Sequence, residues 1–352
     1  MNLCSFYKNK KVFITGHTGF KGSWLRFFLD NMKANTCGYS LAPEKSSPSL
    51  YKLLNPDVSN NFVSKDIKDF EILKKSIEDF NPDIVFHLAA QPLVIKSYKE
   101  PLETLSTNII GTSNLLEICR SIKSIKAIIN VTSDKCYENK NTNKQYVESD
   151  KLGGSDPYSA SKACAEIINT SYQKSFYDMS EIGLASARAG NVLGGGDFSE
   201  NRIIPDIIRS LVSRDKLIVR SPNATRPWQH VFDVIYGYMI LGKKLYENPN
   251  EFSCPYNFSP NVENCITVEN ILNKINKILE INYVIQPSKF YEANLLMLNS
   301  DKAKNNLNWN PAYDIDNTLI ESVEWYKDFM QNKDMIKISK IQYDRYMELQ
   351  NE

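Results

Sequence analysis

Val12-Phe13-Ile14-Thr15-Gly16-His17-Thr18-Gly19-Phe20-Lys21-Gly22 is the stretch that decides how this chain folds. Its first four residues form a short β-rich run, and Trp24, Leu25, Phe27, Phe28 and Leu29 carry an apolar helical pattern behind the glycines. Strand, glycine turn and helix, in that order, is the context in which such glycines signal dinucleotide binding. Gly16 permits the tight turn, Gly19 lets the backbone approach a pyrophosphate, and Gly22 lets the helix lie close on the strand. The helix N-terminus then offers free N–H groups and a positive dipole end to the diphosphate. Three glycines spaced Gly-x-x-Gly-x-x-Gly are weak evidence alone; their place after the first strand of the chain gives them weight.

The same alternation continues outward. Thr36 to Leu41 reads as a second strand, ending without the acid that would hold an adenosine ribose; Ser40 offers a hydroxyl instead, so NAD and NADP both stay open. Asp66-Ile67 closes a third short run, placed to frame an adenine or simply to turn the chain. Asp83 to Ala90 is a fourth, ending in Leu88, Ala89 and Ala90, where small residues let a cofactor cross the strand end or a helix pack closely. A helix over 99–120, with Asn108 and Gly111 inside it, leads to the apolar strand Ala127 to Val131, and Ile182 to Asn191 is a further strand. Strands alternating with helices predict an α/β fold with a doubly wound, parallel Rossmann sheet. Right-handed crossovers bring the strand C-termini to one edge.

Beyond residue 191 the pattern turns irregular: a helix through Arg209, a strand over 217–220, helices over 233–247, 266–280 and 314–329, and a charged helical tail over 331–352. The expected division is a dinucleotide-binding domain of 1–190 plus about 228–262. A smaller mixed α/β substrate-binding domain takes 191–227 and about 263–330.

At 352 residues the chain can bury a full core. Its formal net charge of +1 gives no electrostatic reason to expect nucleic acid or an anionic membrane. Seven cysteines without a Cys-x-x-Cys pair, and three distant histidines, predict no metal site and no disulfide framework. Without an apolar leader or a membrane-length run, the expected location is cytoplasmic.

The chemistry concentrates between Val131 and Lys162. Ser133, Asp134 and Lys135 stand where the Ala127 strand ends. Pro157 suits a first helical position with Asp156 as its cap, so Tyr158 and Lys162 fall one turn apart on one helix face. A hydroxyl, a carboxylate, two amines and a phenol are thus drawn towards one point.

These pieces together resemble the extended short-chain dehydrogenase/reductases, within them the nucleotide-sugar 4,6-dehydratases, and most narrowly the branch acting on CDP-glucose. The resemblance rests on Thr15 to Leu25, Thr132 to Tyr137, Leu152-Gly153-Gly154 and Asp156 to Lys162. Arg188 to Val192, Gly194 to Asp197 and Thr225 to Val231 complete it. Tyr158-x-x-x-Lys162 marks the superfamily, and Lys135, where related dehydratases carry a glutamate, marks the branch. The resemblance implies an NAD-dependent loss of water from a nucleotide hexose, giving a 4-keto-6-deoxy sugar for surface polysaccharide. Tyr158 is implied as the base on the 4-hydroxyl, its phenol drawn down by Lys162 and the cofactor's cationic ring; Ser133 bonds the same oxygen. Lys135 takes the C5 proton, and Asp134 protonates the departing C6 hydroxyl. Cofactor contacts fall on residues 16–22 (His17 and Lys21 included), Ser40, Asp66, Ile67, Leu88, Ala89, Ala90 and Asn108, with Tyr158 and Lys162. Substrate contacts fall on Gln91, Asn191, Ile204, Pro205, Arg209, Arg220, Arg226 and Glu292; Tyr291 stands where relatives usually carry a histidine. A homodimer is implied, pairing helices near 100–120 and 157–178 across a two-fold axis. The competing readings are a nucleotide-sugar 4-epimerase, a dehydratase for GDP- or dTDP-sugars, and a dinucleotide sensor without turnover.

Overall fold

Seven strands form one sheet in a computed structural model that describes residues 2–43, 48–55, 62–286 and 295–351. They are β1 (Lys11–Thr15), β2 (Asn35–Ser40), β3 (Phe62–Ser64), β4 (Ile84–His87), β5 (Ala127–Val131), β6 (Gly183–Ala189) and β7 (Tyr256–Phe258). The spatial order is β7-β6-β5-β4-β1-β2-β3, with every neighbouring pair parallel. Order reverses between β1 and β4, the crevice where open α/β sheets bind their ligands. Helices cover both faces, so the central strands are continuous apolar runs rather than alternating ones; every residue of β5 and β6 is buried.

The helices that matter for the site are α1 (Phe20–Asn31), α2 (Phe70–Phe80), α3 (Gly111–Cys119), α4 (Pro157–Tyr172), α5 (Ile203–Ser213), α6 (Val231–Glu247), α7 (Ile315–Met330) and α8 (Met335–Leu349). On one side of the sheet, Trp24 and Phe28 of α1 meet Phe232 of α6. On the other, Ile77 of α2 and Leu115 and Leu116 of α3 pack on Phe13 and Ile128. The helix expected over 99–120 is a composite: Pro101–Leu105 and α3 flank a π turn, Ser106–Ile110, which periodicity alone does not reveal.

After β6 the chain builds short mixed pairings. Leu217–Val219 runs parallel to Tyr283–Ile285, and Thr225–Pro227 runs antiparallel to Cys265–Thr267. The helix expected over 266–280 is shorter, Val268–Ile275, capped by Thr267, which accepts the Asn270 N–H at 3.1 Å. Residues 335–349 are helical and amphipathic: charges face outward while Met335, Tyr343, Tyr346 and Met347 are buried. Tyr343 and Tyr346 set their rings on Phe28 at 4.8 and 6.1 Å.

Candidate functional site

The glycine turn is dictated by contact. Gly16 has φ +73°, and a Cβ there would meet Ala89 N at 2.6 Å; a Cβ on Gly22 would fall 2.2 Å from Gly16 O. Gly19 is different, since a Cβ there would make only an ordinary 3.4 Å contact. It caps α1 with no side-chain hydrogen bond to the first-turn N–H groups, which leaves them for an anion. A cavity of about 920 Å³ runs from this turn along the C-terminal sheet edge. Gly16, Thr18, Gly19, Phe20, Lys21 and Gly22 line one end, with Ser40, Asp66 and Ile67 beside them and Leu88, Ala89 and Ala90 opposite. Thr18 and Ser40 share a hydrogen bond of 2.8 Å.

His17 is the exception in that segment. It turns under the sheet, fully buried between the rings of Tyr51 and Phe62, on the space left free by Gly38. Burial, helped by Arg26, lowers its pKa to about 3, so it sits there as a neutral packing group. Asn108 and Gln91 also stand outside the cavity lining. Asn108 receives the Gln91 N–H at 2.8 Å and donates to Gln91 O at 3.2 Å and Ser161 Oγ at 2.8 Å. Gln91 spends its side chain on Leu93 and Thr104. Both shape the loop after β4; polarity near the site was visible in the sequence, but not the direction of the side chains.

The chemical groups converge at the ends of β5 and α4. Ser133 Oγ receives the Lys135 N–H at 3.3 Å, opening a 3₁₀ turn over Asp134–Cys136, and donates to Asp134 Oδ1 at 2.9 Å. Asp156 caps α4 by accepting the Ser159 N–H at 2.9 Å, with Pro157 in the first turn. Ser133, Asp134, Lys135, Tyr158 and Lys162 all line the one cavity. Burial pushes the Tyr158 phenol up to about 12; the Ser133 hydrogen bond and the Arg202 guanidinium pull the other way. Lys162 donates to Val131 O at 3.4 Å, and burial lowers it to about 8; the expected lowering of the phenol draws on Lys162 and the cofactor's cationic ring together. Lys21 reaches the same centre. Its Nζ donates to Tyr238 OH at 3.3 Å, and burial, with Arg202 and Lys162 nearby, lowers it to about 7.

At the far end, Asn191, Ile204, Pro205, Arg220 and Arg226 line the cavity. Arg209 does not: it faces outward, donating to Phe198 O and Ser199 O at 3.0 Å and pairing with Asp206. Glu292 lies outside the described residues. Sequence reading missed Arg202, which lines the cavity, bears on Tyr158 and is held by Asp197 Oδ2 at 2.9 Å. Its signal was its position between two stretches already singled out, 194–197 and 204–205.

A family model described as GDP-mannose 4,6 dehydratase matches residues 13–322. A CDP-glucose 4,6-dehydratase of Salmonella typhimurium is 43% identical over 97% of this chain and 98% of its own length. Among solved structures, an epimerase from Methanothermobacter thermautotrophicus superposes with TM-score 0.81 at 23% identity, covering 97% of each chain. A dTDP-glucose 4,6-dehydratase from Bacillus anthracis, in complex with NAD, superposes with TM-score 0.75 at 24% identity, covering 91% of this chain and 97% of its own.

Proposed function

The chain belongs to the GDP-mannose 4,6 dehydratase family, and from that premise we propose that it is an NAD-dependent hydro-lyase converting CDP-D-glucose into its 4-keto-6-deoxy product. The observation that carries this reading is the single cavity in which the glycine turn and the Ser133, Asp134, Lys135, Tyr158 and Lys162 side chains meet. The substrate follows the 43% identical relative, which spans nearly the whole of both chains.

A dinucleotide fits the first end of the cavity, because Gly16 and Gly22 leave no room for side chains and the α1 N–H groups are uncapped. NAD, when bound, supplies the acceptor for the C4 hydride and the donor of the same hydride at C6. Gly16 and residues 18–22 would hold the diphosphate, and Ser40, Asp66 and Ile67 would enclose the adenosine. Tyr158 takes the proton of the 4-hydroxyl, with Ser133 bonding the oxygen as it becomes a carbonyl. The new ketone acidifies C5–H; Lys135 removes that proton, and Asp134 gives one to the departing C6 hydroxyl, so that water leaves. Lys135 then returns a proton to C5. Arg226 and Arg220, with Asn191, face the nucleotide diphosphate, which a guanidinium fork suits.

A homodimer suits the outer faces of the π turn, its flanking helix, α4 and the second π turn after it, Gln173–Tyr177, where Leu102, Ile110, Ile167 and Phe176 are exposed. No helix among the described residues is long and apolar enough to cross a membrane. The seven cysteines are free thiols, which suits the cytoplasm, and deoxysugars made there would feed surface polysaccharide such as lipopolysaccharide. Incubation with NAD and CDP-glucose, beside dTDP-, GDP- and UDP-sugars, tests the proposal. The expected product is a 4-ketone absorbing in alkali, formed fastest from CDP-glucose. A C4-inverted sugar, or bound cofactor without turnover of any of these sugars, overturns it.

A further inference from the structure

Behind the 3₁₀ turn lies a buried ion pair that the reaction above does not use. Glu166 on α4 and Arg188 on β6 are 1% and 2% exposed and meet at 2.7 Å between Oε2 and Nη2. Glu166 Oε2 also accepts Ser186 Oγ at 2.7 Å, and its Oε1 accepts the Thr132 hydroxyl. Arg188 Nη1 donates to the Tyr137 hydroxyl at 2.7 Å and to Glu148 O at 3.0 Å, its guanidinium lying over the Tyr137 ring. Tyr137 in turn donates to Asn257 Oδ1 at 2.7 Å, on β7. Thr132 immediately precedes Ser133, and Tyr137 immediately follows the turn. One ion pair therefore grips both ends of the segment bearing the acid and the base.

Glu166 is also one helical turn from Lys162, on the same face. Other ionisable groups facing Lys162 are Tyr158 one turn back on α4, Cys136 from the turn, His87 from β4 and Lys21 from α1. Burial keeps the Cys136 thiol and the His87 ring uncharged, and Lys21 is itself a base. Of these surroundings, Glu166 supplies the negative charge that opposes the desolvation of Lys162. A buried ion pair is often no more stable than an apolar substitute of the same volume. Its retention here therefore calls for a role beyond stability.

We propose that Glu166, anchored by Arg188, is a positioning residue that fixes the Ser133–Asp134–Lys135 turn and keeps Lys162 an ammonium beside Tyr158. Its effect on turnover rests on the dehydratase reading; its effect on Lys162 does not.

The test follows Lys162 directly, by NMR of protein labelled with ¹³C at lysine Cε, the signal assigned by its loss in Lys162→Met. In Glu166→Gln that signal is expected to titrate about one pH unit lower than in the wild type, as removal of one nearby charge at an intermediate effective dielectric predicts. The alkaline limb of kcat moves down with it, kcat falls more than KM rises, and Glu166→Asp restores the titration. Because a stranded guanidinium endangers folding, Glu166→Gln combined with Arg188→Met removes both charges and is expected to give a smaller shift in the same direction. An unshifted Lys162 titration in either folded variant overturns the inference. A shifted titration in a protein that turns over no nucleotide sugar overturns the dehydratase reading and leaves this inference standing.

Discussion

The backbone of Gly195 lies against the Trp325 indole so closely that a Cβ would fall 2.1 Å from a ring carbon. Trp24 Nε1 holds Gly195 O at 2.9 Å, and the Tyr326 hydroxyl donates to Asp197 O at 2.5 Å. The glycine loop that fixes Arg202 through Asp197 is thus braced by α7. Gly195→Ala is expected to cost about 1–3 kcal/mol by overpacking and to lower turnover by displacing Arg202. Thermal melts beside activity assays check this, and an unchanged melting temperature with full activity rejects it.

Lys135→Ala should leave the fold and the glycine turn intact, since Lys135 lines the cavity. Turnover is expected to fall by about 10²- to 10⁴-fold, the usual worth of a general base. NAD binding, followed by fluorescence titration, should stay within error of the wild type. Near-normal turnover removes Lys135 from the elimination step.

Gly19 and Gly22 separate folding from binding. Gly22→Ala drives a methyl into Gly16 O and is expected to lower both the melting temperature and the affinity for NAD. Gly19→Ala meets no such obstacle within the protein, so its melting temperature should hold while NAD affinity falls by at least about tenfold, as lost close approach to a phosphate implies. Equal NAD affinity in Gly19→Ala and the wild type argues against a pyrophosphate at this turn.

What the sequence made legible follows from periodicity and caps. The runs at 12–15, 84–87 and 127–131 are apolar because both sheet faces are covered, and Asp156-Pro157 announces α4 one residue before Tyr158. Side-chain direction was not legible. His17 sits in a motif whose neighbours face the cavity, yet its ring turns under Gly38, a consequence of a missing Cβ twenty-one residues later. Asn108 is a polar residue on a helix near the site, but the π turn at 106–110 aims it at the Gln91 backbone. Arg202 stood in an irregular segment with no period to place it, and only the fold brings it to Tyr158. The partner strand of Leu217–Val219, Tyr283–Ile285, is three residues long, too short for alternation to declare it.

Asp233 predicts a pH dependence of stability. Burial raises its carboxyl from 3.8 to about 7, against hydrogen bonds from Ala312 N, the Tyr346 hydroxyl and Tyr313 N. Between those values the folded state holds a proton that the unfolded state has lost. Its contribution is therefore full below the unfolded value and is lost as pH rises through the folded one. Relative to Asp233→Asn, the wild type should lose melting temperature from about pH 4 to about pH 7. A constant difference across that window rejects the assignment.

The exposed apolar face on α4 is open to a direct check. Ile167 is 56% exposed on that helix, so Ile167→Glu leaves the core untouched. In a dimer paired through this face it buries an uncompensated charge, which is strongly destabilising. Sedimentation should show a dimer in the wild type and a monomer in the variant; identical behaviour removes the face from the interface.

The packing of Tyr343 and Tyr346 on Phe28 sets the order in which the protein can be finished. The helix over 335–349 is the floor beneath the helix over 20–31, so residues 20–31 wait for residues 335–349 to leave the ribosome. Residues 20–31 are thus made long before their cover. During translation the apolar underside of residues 20–31 is a surface for a chaperone to shelter, and chains halted before residue 335 should be cut within residues 20–31 by a protease that spares the finished protein.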